Sequence, residues 1–345
     1  MRRLFSKSKP LASSITNREA LRMAMSEEMR RNKKVFVIGE EVGQYQGAYK
    51  VTKGMLEEFG PERVVDTPIT ESGFTGVAAG AALMGLIPVV EYMTWNFALQ
   101  AWDQIFNSVA KVRYMSAGKI SGSIVFRGLN GPAASVAAQH SQCFASALSN
   151  VPGLIVMSPY DAYDMKFLLK AAIRCGNPVA FLENELTYGT SHEVGEDFYD
   201  EERVAPIGKA RIMRTGRHVT IIAFSRMVGL SLKAAEELAK SGVEAEVINL
   251  GTIKPLDRTT IINSAIKTGR VVTVEDGYPF SGIGAEIAAT IMESPAFDHL
   301  DAPVERVTAW DIPLPYGEPL ESLTLPQVQN IVQAALKATK GAKLN

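Results

Sequence analysis

The feature that most restricts this chain is a series of short apolar runs without polar alternation. Val35-Phe-Val-Ile-Gly39, Arg63-Val-Val-Asp66, Ile87-Pro-Val-Val-Glu-Tyr92, Ser123-Ile-Val-Phe126, Leu154-Ile-Val-Met157 and Val179-Ala-Phe-Leu182 follow one another, most of them separated by segments of helical length. A strand that is apolar on both faces must be covered on both faces, and helices between successive strands supply that cover and make the sheet parallel. A second series follows: Val219-Thr-Ile-Ile-Ala-Phe224, Ala245-Glu-Val-Ile-Asn-Leu250, Arg270-Val-Val-Thr-Val-Glu275 and Val304-Glu-Arg-Val-Thr308. These alternate with helices such as Leu230 to Lys240, which Gly242 can terminate. Between the two series, Glu193 to Arg203 is acidic and turn-rich and is expected to be a linker without a core strand. The expected fold is α/β with two domains, 17–200 and 201–345, each a mainly parallel sheet covered by helices. A chain of 345 residues has the length for both.

Charge and cysteine content narrow the function classes. With 36 basic and 37 acidic residues the formal charge is -1, which gives no reason to expect nucleic acid or a membrane surface as partner. Cys143 and Cys175 form no CxxC pair, so neither a disulfide framework nor a zinc knuckle is indicated. Residues 1–16 contain basic residues and serines but no acid, the composition of an organelle presequence, although a frayed basic terminus fits as well. The periodicity of Asn17 to Asn32 predicts a helix after that segment.

One charge then stands out. In Thr67-Pro-Ile-Thr-Glu-Ser-Gly-Phe74, Glu71 lies between a buried strand and a helix of small neutral residues, Val77 to Gly85, with Thr70 as the expected N-cap. This puts a carboxylate at the carboxyl end of a parallel strand, where open α/β sheets bind ligands. It is either a helix-dipole partner or a group that exchanges a proton with a ligand. Glu91 to Gln104 reads as a strand entering a helix with Phe97, Gln100 and Gln104 on one face, suited to a flat heterocycle with polar edges, or to core packing. His140 ends a loop rich in Gly, Ala and Ser after a sheet strand; it is a proton-transfer candidate or a structural histidine. The small residues Gly76, Ala79, Gly80 and Ala82 allow another backbone to approach closely, within the domain or across a subunit interface.

Taken together, G-E-E-V-G-Q-Y-Q-G-A-Y-K from Gly39, D-T-P-I-T-E-S-G-F from Asp66, E-Y-M-T-W-N-F from Glu91, A-A-Q-H-S-Q-C from Ala137 and L-E-N-E-L-T-Y-G from Leu182 resemble the β subunits of the pyruvate dehydrogenase E1 component. The likeness runs from about Asn17 to the C-terminus and includes A-E-V-I-N-L from Ala245 and D-I-P-L-P-Y from Asp311. It implies a pyrimidine-binding domain and a transketolase C-terminal-like domain in a thiamine-diphosphate enzyme that decarboxylates pyruvate and passes the two-carbon unit to a lipoyl group. Glu71 matches the glutamate that holds the aminopyrimidine and promotes its imino tautomer. Phe97 and Gln100 match residues near that ring. His140 matches a histidine implicated in lipoyl acetylation, and Glu40 an acidic path between two active sites. The resemblance also implies potassium at Ile124, Ala172, Ile173, Cys175 and Asn177, mostly through backbone carbonyls, with Cys175 replacing the usual aspartate. Leu129 and Gly251 are further departures.

No Gly-Asp-Gly motif and no P-loop is present, so the diphosphate and magnesium are expected on another polypeptide. The resemblance implies an α subunit in an α2β2 assembly, docking to a dihydrolipoyl acetyltransferase core, and a mitochondrial matrix or bacterial cytoplasmic setting. Branched-chain 2-oxoacid or acetoin dehydrogenase β subunits, or a non-catalytic assembly subunit, remain alternatives. So does a nicotinamide oxidoreductase, on account of Gly282-Ile-Gly284 between a strand and a helix, although Ile287 stands where a small residue is needed.

Overall fold

The computed structural model describes residues 13–340. The first 12 residues, with most of the presequence expectation, lie outside them. Ser13–Thr16, the remainder of that segment, is a strand paired antiparallel with Ser191–Val194. It feeds directly into the helix Asn17–Arg31, which a capping box closes: the Thr16 hydroxyl accepts the Glu19 N–H at 3.2 Å and Glu19 accepts the Thr16 N–H at 3.0 Å.

The first domain is built on a seven-stranded sheet in the order Thr252–Lys254, Ile155–Met157, Pro178–Glu183, Ile124–Leu129, Ile87–Thr94, Val35–Gly39, Val64–Asp66. Every neighbouring pair is parallel except the first. The central strands are buried along nearly their whole length. This is the reason their sequences lack alternation: helices pack on both faces. The second domain has a five-stranded sheet in which Glu305–Val307, Val271–Val274, Val219–Ala223 and Ala245–Asn249 are parallel and Arg211–Arg214 closes the edge antiparallel. Among the described residues no helix is long and apolar enough to cross a membrane.

Two features add to the expected layout. Glu193–Arg203 is no free linker, because Phe198 is fully buried against Tyr163 and Phe167. Its carbonyl accepts the Lys166 Nζ at 2.7 Å, while the Glu201 carbonyl accepts the Lys170 Nζ at 2.6 Å. Two adjacent aromatics within an acidic stretch, Phe198 and Tyr199, give no periodicity to detect, yet the burial of Phe198 holds the turn. Nor is the division near residue 200 clean. Thr252–Lys254 belongs to the second half of the chain but completes the first sheet, and Arg211 bonds Asp161 and Asp164 at 2.9 and 2.8 Å. Asp164 in turn accepts Asn249 Nδ2 at 2.6 Å, so the domains are joined by buried polar bonds as well as by the chain.

Candidate active site

The carboxyl ends of five adjacent parallel strands, Pro178–Glu183, Ile124–Leu129, Ile87–Thr94, Val35–Gly39 and Val64–Asp66, all lead to candidate residues. In that order they are followed by Glu185, His140, Phe97 with Gln100, Glu40, and Glu71. Parallelism is what collects side chains distant in sequence at one edge.

Glu71 is the first residue of the helix Glu71–Leu83 and is only 4% exposed. Thr70 occupies the N-cap position but its side chain makes no capping bond; with ψ at 80° it lies over Gly73 instead. Glu71 Oε2 accepts Gln100 Nε2 at 3.3 Å, and this is its only side-chain partner among the described residues. Behind it, the Thr75 and Tyr92 hydroxyls share a 2.7 Å hydrogen bond, and Phe74 and Tyr92 wall off solvent. Burial raises the Tyr92 phenol, and the Glu71 charge raises it further, so it stays a neutral donor.

Glu40 is the second acid. The strand before it bonds to both neighbours, and Gly39 is required there because a Cβ would come within 2.4 Å of the Glu91 carbonyl. Glu40 is buried, and its Oε1 has no partner. Burial first, and then the Glu71 charge, push its carboxyl up to about 7, against an opposing pull from the Thr70 amide. Burial and a like charge thus both favour the protonated form of Glu40, and no cation offsets them.

The strand expected from Glu91 ends at Thr94, and the helical segment it enters is a 3-10 turn Phe97–Ala101 followed by a π-helical turn Gln104–Val109. Gln100 and Gln104 both face the helix Glu71–Leu83: Gln100 bonds Glu71, while Gln104 packs 3.5 Å from the Cβ position of Gly76 and accepts Ser108 Oγ. Phe97 meets the exposed His140 ring edge-on at 5.3 Å. Thus Glu71, Gln100, Phe97 and His140 form one connected wall, with Glu40 beneath Glu71. Behind His140 is a small cavity of about 40 Å³ lined by Tyr49, Thr94, Gly131, Val136 and Glu185, room for a water molecule.

The proposed cation ligands are also neighbours. Cys175 Sγ donates to the Ala172 carbonyl at 3.2 Å and lies 3.7 Å from the Asn177 carbonyl, while Asn177 Nδ2 donates to the Cys175 carbonyl at 3.0 Å. Ala172 and Ile173 lie in the last turn of the helix Ala162–Arg174, Cys175 caps it, and Ile124 opens the adjoining strand, in register with Pro178. Carbonyl oxygens are the right donors for a hard cation. Among the described residues no cluster of three His, Cys, Asp or Glu is arranged for a metal.

One group escaped the sequence reading. Arg127, fully buried, donates to both oxygens of Glu183 at 2.6 and 2.5 Å, to Glu91, and to the Tyr188 hydroxyl at 3.2 Å. The signal available was one charge in each of three adjacent non-alternating strands. The nicotinamide alternative fails here too. The N-terminus of the helix Ile283–Met292, where a phosphate would bind, is filled by Glu275, which accepts the Ile283 and Gly284 amides at 3.1 and 2.7 Å. Its glycines are explained by that carboxylate, since a Cβ on Gly282 would come within 2.6 Å of it.

Comparison with known proteins agrees with this geometry. Residues 13–190 match the family model for the transketolase pyrimidine-binding domain and residues 208–331 that for the transketolase C-terminal domain. The class is therefore that of transketolase-like α/β chains. A solved structure titled as a split-gene transketolase, an inactive β4 tetramer, superposes with a TM-score of 0.76 at 25% identity, over 94% of this chain and 98% of that one. Among curated relatives, the mitochondrial pyruvate dehydrogenase E1 component subunit beta-1 of Arabidopsis thaliana is 58% identical over 96% of this chain and 91% of its own. The mitochondrial subunit beta of Drosophila melanogaster is 55% identical over 96% and 90%. The subunit beta of Rhizobium meliloti (strain 1021) is 57% identical over 93% and 69%. The chain belongs to the family of pyruvate dehydrogenase E1 component β subunits.

Proposed function

We propose that this chain is the β half of a pyruvate dehydrogenase E1 component, and that it decarboxylates pyruvate with thiamine diphosphate and passes the acetyl group to a lipoyl carrier once joined to an α subunit. The observation that carries this reading is the pair Glu40 and Glu71: two buried neighbouring acids, one with an unpartnered oxygen, and no cation between them. Such an arrangement is costly unless a ligand completes it. A flat ring with a basic nitrogen and an amino group fits the vacant acceptors of Glu71 and Glu40 and the half-buried face of Phe97.

Thiamine diphosphate, when bound, supplies the electron sink for the carbanion left by decarboxylation. This chain's residues do the rest. Glu71 holds a proton at the ring nitrogen, Gln100 fixes the carboxylate that does so, and Phe74 with Tyr92 excludes water. Glu40, whose protonated form burial favours, is the second acid beside Glu71, and His140, at the solvent side of Phe97, serves the arriving carrier.

The diphosphate, magnesium and part of the pocket belong to the α subunit in this reading. Ile69, Val77 and Met84 on and beside the Glu71 helix are exposed, Met84 at 86%, and form the apolar surface for it. The assembly is α2β2 and docks to the dihydrolipoyl acetyltransferase core. Potassium is held at Ile124, Ala172, Ile173, Cys175 and Asn177, where the Cys175 thiol replaces a charged neighbour without removing a carbonyl. Exchanging potassium for a large organic cation should then lower the melting temperature, the expected linkage of a ligand to the folded state. The compartment is the mitochondrial matrix, or the bacterial cytoplasm, since mitochondrial and bacterial relatives are about equally similar.

The test is reconstitution with an α subunit and the ratio of decarboxylation rates for pyruvate and 2-oxoisovalerate. A ratio well above unity is expected. A ratio below unity moves the assignment to branched-chain substrates, and no turnover of either removes it.

A further inference from the structure

The loop that carries His140 does not hold its own shape. Ser135 and Ala137 both lie in the left-handed region, at φ of 54° and 64°, which a side-chain-bearing residue adopts only when its surroundings impose it. Its ends are tied within the first domain: Asn130 N–H to the Glu183 carbonyl at 2.7 Å, Gly131 N–H to the Gln142 carbonyl at 2.9 Å, and Gln142 N–H to Asn96 Oδ1 at 3.2 Å. Between those ends, its single 3-10 turn contributes only a long bond, His140 N–H to the Ala137 carbonyl at 3.4 Å.

The middle of the loop is held from the other domain. Glu321 Oε2 accepts the Ser135 N–H at 3.0 Å and its hydroxyl at 3.4 Å, across 186 residues of chain. Glu321 is only 6% exposed, and its Oε1 has no partner. A buried carboxylate is an expensive way to satisfy one amide unless the charge-assisted bond has a task. Its helix, Glu318–Thr324, is fixed in turn by the Trp310 N–H on the Thr324 carbonyl at 3.0 Å and by the small core of Ala309, Leu314 and Leu325.

We propose that Glu321 is a positioning residue for His140: by gripping Ser135 it sets the shape of loop 131–142 and so the place of the imidazole. The C-terminal domain thereby controls the histidine's step without touching the reactants. The inference rests on the reading of His140 as an active-site residue. It leaves the Glu71 step untouched, and this makes it separable.

Two measurements test it, with Glu321→Met, which keeps volume but cannot accept, and Glu321→Gln, which still can. Hydrogen exchange on the purified chain reads the grip itself. In Glu321→Met the Ser135 amide and its neighbours to residue 139 should exchange tenfold faster or more, with the rest of the chain unchanged, and Glu321→Gln should stay within about threefold of the parent. In the complex reconstituted with the α subunit, pyruvate decarboxylation read with ferricyanide should change less than twofold. Acetyl transfer to a free lipoyl domain should fall tenfold or more, with its pH profile displaced and recovered in Glu321→Gln.

Unchanged exchange over 131–142, or equal loss of both partial reactions, overturns the proposal. If the parent complex does not decarboxylate pyruvate at all, the functional reading falls while the exchange result still decides whether Glu321 holds the loop. Should Glu321→Met not fold, Glu321→Ser, too short to reach the amide, reads the same quantities.

Discussion

The sheet of the first domain holds two groups of buried acids, and they are built on opposite terms. Around Arg127, Glu91 and Glu183 are met by a guanidinium whose donors are used on both carboxylates and on Tyr188. Around Glu71, neither that carboxylate nor Glu40 has a cation, one has a single amide partner, and the other has an oxygen with none. Both belong to the same sheet but to different strands: Glu91, Arg127 and Glu183 lie within its three central strands, with Glu91 and Arg127 direct neighbours in register, whereas Glu40 and Glu71 follow Val35–Gly39 and Val64–Asp66. A satisfied network fixes a scaffold in one arrangement, whereas acids left short of partners store a cost that only a ligand offsets. Buried charge alone does not mark a site; unmatched buried charge does.

The comparison can be broken in order of expected effect. Glu71→Gln removes proton exchange from an acid that no protein cation needs. Decarboxylation by the reconstituted complex should fall by about 10²- to 10⁴-fold, with the unfolding midpoint unmoved. Near-normal turnover would refute the assignment. Arg127→Met should do the reverse. Two carboxylates are left buried without their cation, costing about 3–5 kcal/mol in denaturant unfolding, and a loss under 1 kcal/mol would mean that the network is not the scaffold described.

Glu40→Gln sharpens the contrast through pH. Burial and the neighbouring Glu71 charge push its carboxyl from the ordinary 4.5 up to about 7. The folded state therefore binds the proton more tightly, and stability is lost as pH rises from 4.5 through about 7. The glutamine variant should lack that decline and be more stable above pH 7 by on the order of 1 kcal/mol, since solvent in the cleft screens part of the penalty. Parallel stability curves for the two proteins between pH 4.5 and 8 would contradict it. The smallest effect on activity is expected at Gly282→Ala. There the added methyl meets Glu275 and the Tyr278 carbonyl, at 2.6 and 2.7 Å, for about 1–3 kcal/mol of overpacking and no change in decarboxylation.

Much of this was legible beforehand. Every strand expected from a non-alternating apolar run is present, because complete burial writes itself into composition. The strands that gave no signal, Ser13–Thr16, Ser191–Val194, Arg211–Arg214 and Thr252–Lys254, are all short and at sheet edges, although two other short edge strands, Val64–Asp66 and Glu305–Val307, did show in the sequence. An edge strand has one partner and a wetter face, so its sequence is less constrained. Among the site residues, Glu71 stood out because an acid before a small-residue helix is conspicuous. Gln104 shares a face with Gln100 as expected, both packing on the helix Glu71–Leu83, but the segment that carries them is a 3-10 turn followed by a π turn, and Gln104 meets Gly76 one turn beyond Glu71.

The sequence by itself determined that this is a layered α/β chain with an acid at the end of a parallel strand, since burial and helix spacing are local constraints that each segment must satisfy alone. Only the tertiary structure decided which acids are buried together without a cation, which share an arginine, and which glutamate of the second domain reaches the histidine loop of the first. Those choices depend on distances of a few ångströms between residues up to 186 positions apart, and electrostatic and hydrogen-bond energies vary steeply over just that range.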